Sequence, residues 1–228
     1  MRQPKPAPRR VDAVRLSDDQ STIAHMAASI LLDYPTDERR PRFDAVRIAI
    51  QGLPEPVRLA LTAFLDAADS MSHQELQAHF TATFDMKRKC CLYLSYFAAG
   101  DTRRRGMALV RFIEAYRAAG YEIAAEELPD YLPMVLEFSA VSGSPIAREL
   151  LSSHRDGIEV LHQALDSVTS PYAHVLEAIA LSLPAIDDAT RARYLALVNE
   201  GPPTELVGVS FLGNLAPFSA TAGEGVHR

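Results

Sequence analysis

The chain lacks tryptophan and carries only two cysteines in 228 residues, set side by side as Cys90-Cys91. Two cysteines in a chain of this length exclude the disulfide framework of a small secreted domain and point to a reducing compartment. Glycine is scarce, at 11 residues, and the abundance of alanine and leucine favours helix. No run approaches the roughly 18 consecutive apolar residues that cross a membrane. The opening MRQPKPAPRRVDAVRLSDDQ holds an Arg9-Arg10 pair. No apolar stretch of roughly 7–15 residues follows, so it reads as neither a Sec nor a twin-arginine signal peptide. The expectation is a soluble, cytoplasmic protein without stable membrane insertion. A net charge of −6 argues against nucleic acid as a general partner.

Catalytic signatures are missing as well. There is no Gly-rich phosphate loop, no Gly-x-Ser-x-Gly elbow and no His-Glu-x-x-His. Neighbouring cysteines on one helix would point about 100° apart, which suits two small buried hydrophobes better than a shared metal. Glu159-Val160-Leu161-His162 has the Glu-x-x-His spacing of di-iron bundles, but such sites use two copies and further carboxylates, and one copy is present. His25 and His154 fall on apolar faces and read as core histidines with satisfied hydrogen bonds. The chain therefore reads as a non-enzyme with no bound cofactor or metal. A metal-binding helical protein or enzyme using Cys90/Cys91 or Glu159/His162 is the alternative of another class.

What is present is helix after helix. Ser17-Asp18-Asp19-Gln20 and Ser72-His73-Gln74-Glu75 are capping boxes, each followed by apolar residues at helical spacing. CCLYLSYFAA reads as a helix apolar on every side, hence central and covered. Asp101 and Asp130 stand where they can cap the helices that follow them, and Gly120 is placed as a C-terminal stop. Ser144-Pro145 and Ser170-Pro171 each place a cap residue before a first-turn proline. The first opens a helix carrying Leu150, His154, Ile158, Leu161 and Leu165. A last helix is expected over 188–198. The fold class is all-α, a single helical domain of about nine or ten helices. It spans 17–200, with a disordered tail over 1–16 and a partly docked or disordered tail over 201–228.

Local helix chemistry did not select Arg103-Arg104-Arg105-Gly106. Cations in a first helical turn oppose the macrodipole, and an interior glycine costs about 1 kcal/mol against alanine. These arginines either pair inside the fold or face a partner.

Those residues also carry a resemblance. Phe84-Asp85, Gly100-Asp101-Thr102-Arg103 with Arg105-Gly106-Met107, Leu128-Pro129-Asp130-Tyr131-Leu132-Pro133 with Leu136-Glu137-Phe138, and LLDYP at 31–35 resemble the NarJ-type nitrate reductase assembly chaperones, or delta subunits. These belong to the wider TorD/DmsD group of redox-enzyme maturation proteins. The chain departs at Tyr131, where many relatives carry histidine, and at Arg104, where some carry an acid. The resemblance implies a TorD/DmsD-like fold. It also implies a chaperone that binds the immature alpha subunit of a respiratory nitrate reductase, including its N-terminal peptide, and enables molybdenum cofactor insertion. Cofactor-delivery machinery is a further candidate partner, and another molybdoenzyme reductase an alternative client. An amphipathic peptide helix lies in an apolar groove. The candidate contacts are Phe80, Phe84, Asp85, Tyr93, Tyr96, Phe97, Asp101, Arg103, Arg105, Pro129, Asp130, Tyr131, Leu132, Pro133, Glu137 and Phe138.

Overall fold

The computed structural model describes residues 12–100, 103–123 and 127–184. The first two helices, α1 (Asp18–Leu32) and α2 (Arg39–Ala49), are followed by a 3-10 turn at Ile50–Gly52, then α3 (Glu55–Asp69) and α4 (His73–Phe84). A second 3-10 turn (Arg88–Cys90) leads to α5 (Leu94–Ala99) and α6 (Arg103–Ala118). After the Pro-bounded connection come α7 (Leu132–Ser142), α8 (Pro145–Ser153), α9 (Arg155–Asp166) and α10 (Tyr172–Ser182). The fold is all-α, and among the described residues the one β feature is an isolated bridge between Tyr93 and Tyr131.

The start signals act where the sequence places them. Ser17 Oγ accepts from the Gln20 amide at 3.2 Å while Gln20 Oε1 accepts from the Ser17 amide at 3.0 Å. Ser72 and Glu75 repeat the box at 3.2 and 2.8 Å. Ser144 caps α8, with Pro145 in its first turn. Gly120, at φ +83°, follows the end of α6.

The core is built across long sequence separations. Helix α1 packs against α7 and α10, and α10 against α3 and α9. The most covered helix is α10, in which Tyr172, Val175, Leu176, Ile179 and Leu181 are all buried. The expected central helix over CCLYLSYFAA does not form as one piece. Cys90 closes a 3-10 turn, Cys91 is extended, and Leu92 and Tyr93 enter the bridge, so only Leu94–Ala99 is helical. The reason is non-local: the Leu132 amide donates to Leu92 O at 2.8 Å and the Leu94 amide to Asp130 O at 3.0 Å, which holds the segment extended.

Three other expectations are corrected. The helix through Leu150 and Leu165 is two helices, broken at His154, whose Nδ1 lies 2.8 Å from Leu150 O. Ser170 does not cap α10; its hydroxyl meets His79 Nε2 at 2.9 Å and Pro171 takes the cap position. Asp130 does not cap α7, whose N-cap is Tyr131 without a side-chain bond. Residues 12–17 run without regular structure along α10, where the Val14 amide donates to Leu181 O at 2.8 Å. The expected cap at Asp101, the helix over 188–198, residues 1–11 of the N-terminal tail and the tail over 201–228 fall outside the described residues.

Candidate functional site

The bridge sets the Leu128–Pro133 motif against the segment that leads into α5. It lays 92–94 against 130–132, so that the Tyr93 and Tyr131 rings stand 5.5 Å apart. Asp130, fully buried, turns its carboxylate to the start of α5. Its Oδ2 accepts from the Ser95 amide at 3.0 Å and from the Ser95 hydroxyl at 2.5 Å. A carboxylate on a first-turn amide satisfies an orphan donor and complements the positive end of the helix. Asp130 therefore caps a helix 35 residues back in the chain. Its Oδ1 makes no hydrogen bond among the described residues.

Arg105 closes the network. Its Nε donates to Ser95 Oγ at 3.2 Å, and its guanidinium carbon lies 5.5 Å from the centre of the Tyr93 ring. The Tyr93 hydroxyl donates to Glu127 Oε1 at 3.0 Å, and the Leu128 amide donates to the same oxygen at 2.8 Å. Burial, then the bond to Glu127, push the Tyr93 phenol up to about 12. Burial first also raises Tyr131 and Tyr116. All three phenols are neutral hydrogen-bonding groups near pH 7, and Tyr116 donates to Pro129 O at 3.3 Å. The junction is a polar clasp with apolar walls.

The remaining candidates divide by depth. Phe80 and Phe84 are buried with Tyr172, their ring centres 5.8 and 4.8 Å from it, and belong to the core. Leu132 is fully buried, and Phe138 packs against Tyr116 at 4.3 Å. Pro129 and Pro133 are buried, and Pro133 O accepts from Ser29 Oγ at 2.8 Å. Tyr96 and Phe97 are half-buried and in edge contact, with the Phe97 Cβ pressed against Gly157. Asp85 and Glu137 are exposed. Asp101 and the Arg103 side chain lie outside the described residues. The structure thus gathers Tyr93, Arg105, Pro129, Asp130 and Tyr131 at one junction and distributes the others around it. Ser95, Tyr116 and Glu127 also take part and were not singled out from sequence. Ser95 had a signal, as a lone small polar residue inside the apolar run 92–99.

The cysteines separate, Cys90 being buried and Cys91 partly exposed, and burial raises the Cys90 thiol. Glu159 is bonded to Arg155 at 2.8 Å, a buried ion pair rather than a partner for His162. Among the described residues no group of three or more His, Cys, Asp or Glu is placed to hold a metal, and no helix is long and apolar enough to cross a membrane.

Similarity to known proteins agrees with this picture. The sequence model for the nitrate reductase delta subunit matches residues 50–178. The chain is 32% identical over 162 residues to a Bacillus subtilis protein named as a probable nitrate reductase molybdenum cofactor assembly chaperone, NarJ; the match covers 71% of this chain and 88% of that one. It is 31% identical over 173 residues to the nitrate reductase molybdenum cofactor assembly chaperone NarJ of Escherichia coli K12, covering 74% and 73% of the two chains. A crystal structure from Archaeoglobus fulgidus, of a protein assigned to redox enzyme maturation, superposes with a TM-score of 0.52 at 23% identity. That superposition covers 75% of this chain and 97% of the other and shows a common fold. With a family match across more than half its length and these relatives covered over most of theirs, the chain belongs to the nitrate reductase delta subunit family.

Proposed function

We propose that the protein is a cytoplasmic assembly chaperone for the catalytic alpha subunit of a respiratory nitrate reductase, and that it performs no catalysis of its own. It binds the immature subunit, including its N-terminal peptide, and keeps it competent for insertion of the molybdenum cofactor, which is the client's group and not this chain's. The observation that supports this most is the junction at Tyr93–Tyr131. Leu128–Pro133, which resembles the family, meets the segment 92–95 there, Arg105 of the neighbouring family-like stretch reaches in to Ser95 Oγ, and a fully buried Asp130 leaves one carboxylate oxygen without a hydrogen bond among the described residues. Buried polar atoms without partners are few in native proteins, and each calls for an explanation.

The half-buried rings of Tyr93, Tyr96, Phe97 and Tyr131 offer apolar contact to one face of a peptide helix. The exposed carboxylates of Asp85 and Glu137 suit a basic peptide end. Calorimetry of the full chain with the alpha subunit's N-terminal peptide is the test. Saturable binding without metal or nucleotide, weakened by Tyr131→Ala, is expected. No binding at high micromolar peptide would sink the reading.

A further inference from the structure

A groove that shares no residue with the clasp lies between residues 13–16, the start of α1, α8 and the end of α10, with a volume of about 620 Å³. Val14, Leu16, Leu183 and Pro184 give it apolar walls, and Val14 and Leu16 pack against the core. His25 reaches it, but Ser139 and Ser182 already occupy both ring nitrogens. Its charged residues balance, Arg15 and Arg148 against Asp18 and Glu149, and Arg148 is bonded to Asp18. No charge of one sign is left over to attract an acidic or a basic partner, and apolar walls favour an uncharged occupant. The main chain along one wall is open as well. The Val14 amide donates to Leu181 O at 2.8 Å, whereas no hydrogen bond to the main chain of Arg15 or Leu16 occurs among the described residues. Unpaired amides and carbonyls in a row are a template for an extended segment.

The chain itself carries a segment of that chemistry. Pro184 lines the groove, and residues 185–228 follow it in sequence. Their longest stretch without a charge or a proline is Leu206–Ala216. Within it Val207, Val209 and Phe211 alternate with Gly208 and Ser210. In an extended conformation that pattern puts two β-branched side chains and a ring on one face and small groups on the other. About twenty residues separate Leu206 from Pro184, and at up to about 3.3 Å each they span a return to the groove with length to spare. We propose that the groove is a docking surface for residues 206–212 of this same chain, laid as an extended segment beside residues 13–16. Val207, Val209 and Phe211 meet Val14, Leu16 and Leu183, and the open main chain of Arg15 and Leu16 pairs with the segment. Tethering supplies an effective concentration of about 1 mM, so a segment that binds at only about 0.1 mM when free is docked about tenfold in excess. The docked segment covers Val14 and Leu16 and leaves the clasp open to the peptide proposed above.

Hydrogen exchange of the full chain, followed by mass spectrometry, is the test. The amides of 206–212 are expected to exchange about tenfold more slowly than a free peptide of the same sequence, at a rate independent of protein concentration. Val209→Asp with Phe211→Asp is expected to remove that protection and to speed exchange at 13–16. Ser152→Trp places a bulky side chain in the groove from α8 and is expected to free 206–212 in the same way. If the tryptophan variant fails to fold, the aspartate variant decides alone, through its effect on 13–16. Exchange at 206–212 as fast as in the free peptide, protection that survives in the folded Ser152→Trp chain, or unchanged exchange at 13–16 in the aspartate variant overturns the proposal. So does protection that grows with protein concentration, since the segment of a second copy would then be the occupant.

Discussion

Asp130 and Ser95 are joined twice, carboxylate to amide at 3.0 Å and carboxylate to hydroxyl at 2.5 Å, across the start of a helix that Asp130 does not belong to. The pair couples the connection before α7 to the first turn of α5. Asp130→Ala removes the single oxygen that accepts both bonds and strands a buried amide and a buried hydroxyl, at about 1–3 kcal/mol for each unsatisfied group. Asp130→Asn keeps one oxygen in place and loses the charge, so a smaller loss is expected. Urea unfolding of the parent, the two variants and Ser95→Ala measures this. An Asp130→Ala midpoint equal to the parent's would mean that the cap does not hold the junction.

Arg104 and Arg105, adjacent in the arginine run, have different fates, and single substitutions separate them. Arg105 reaches Ser95 and lies over Tyr93, whereas Arg104 is exposed. Arg105→Ala forfeits a cation–π contact and a charge-assisted bond, about 1–2 kcal/mol together. Arg105→Lys recovers little, because an ammonium lacks the planar fork that serves ring and hydroxyl at once. Arg104→Ala is expected within about 0.5 kcal/mol of the parent. Thermal melts of the three variants give the order. Equal losses at 104 and 105 would contradict the assignment of Arg105 to the interior.

The contrast between these arginines shows how much the sequence made legible. Capping boxes, first-turn prolines and apolar spacing are local, and Ser17, Ser72 and Ser144 cap where their positions imply. The all-α class followed from the same signals. The break at Cys91–Tyr93 was hidden, because the hydrogen bonds that straighten it come from Asp130 and Leu132. Asp130 itself looked like the cap of the nearer helix, and only the bridge makes α5 the closer one. Half the candidate site was similarly ambiguous. Aromatic residues at helical spacing can face a groove or the core, and the packing of Phe80, Phe84 and Phe138 onto Tyr172 and Tyr116 is decided by elements far along the chain.

His25 makes stability depend on pH. It is buried between Ser139 Oγ at 2.9 Å and Ser182 Oγ at 3.1 Å, and desolvation, helped by Arg148, lowers its pKa to about 4. The unfolded chain takes up a proton near pH 6.5 that the fold refuses until about 4. The contribution is therefore complete above pH 6.5 and is lost as pH falls to 4, amounting to about 3 kcal/mol at most. His154, lowered by burial, adds in the same direction. Denaturant midpoints should fall between pH 7 and pH 4.5, and more gently in His25→Gln. The His25 imidazole, followed by NMR, should still be neutral at pH 5.5; protonation there would refute the account.

Arg155 and Glu159 form the most buried ion pair among the described residues, with side chains only 4% and 11% exposed. The guanidinium also donates to Leu183 O at 2.5 Å and Pro184 O at 2.9 Å, and so ties α9 to the C-terminal end of α10. Removing one member of such a pair leaves a charge without its counter-ion in a medium that solvates it poorly, and typically costs about 3–5 kcal/mol. Glu159→Leu is expected near the lower end, since two carbonyls still accept from Arg155. Arg155→Met is expected higher, because it strands those carbonyls along with the carboxylate. The double replacement exchanges both charges for apolar volume and should cost less than the sum of the single changes. A double-mutant cycle by urea unfolding reads the coupling directly. Additive losses would show that the guanidinium serves the α10 carbonyls alone and that its contact with Glu159 carries no stabilisation.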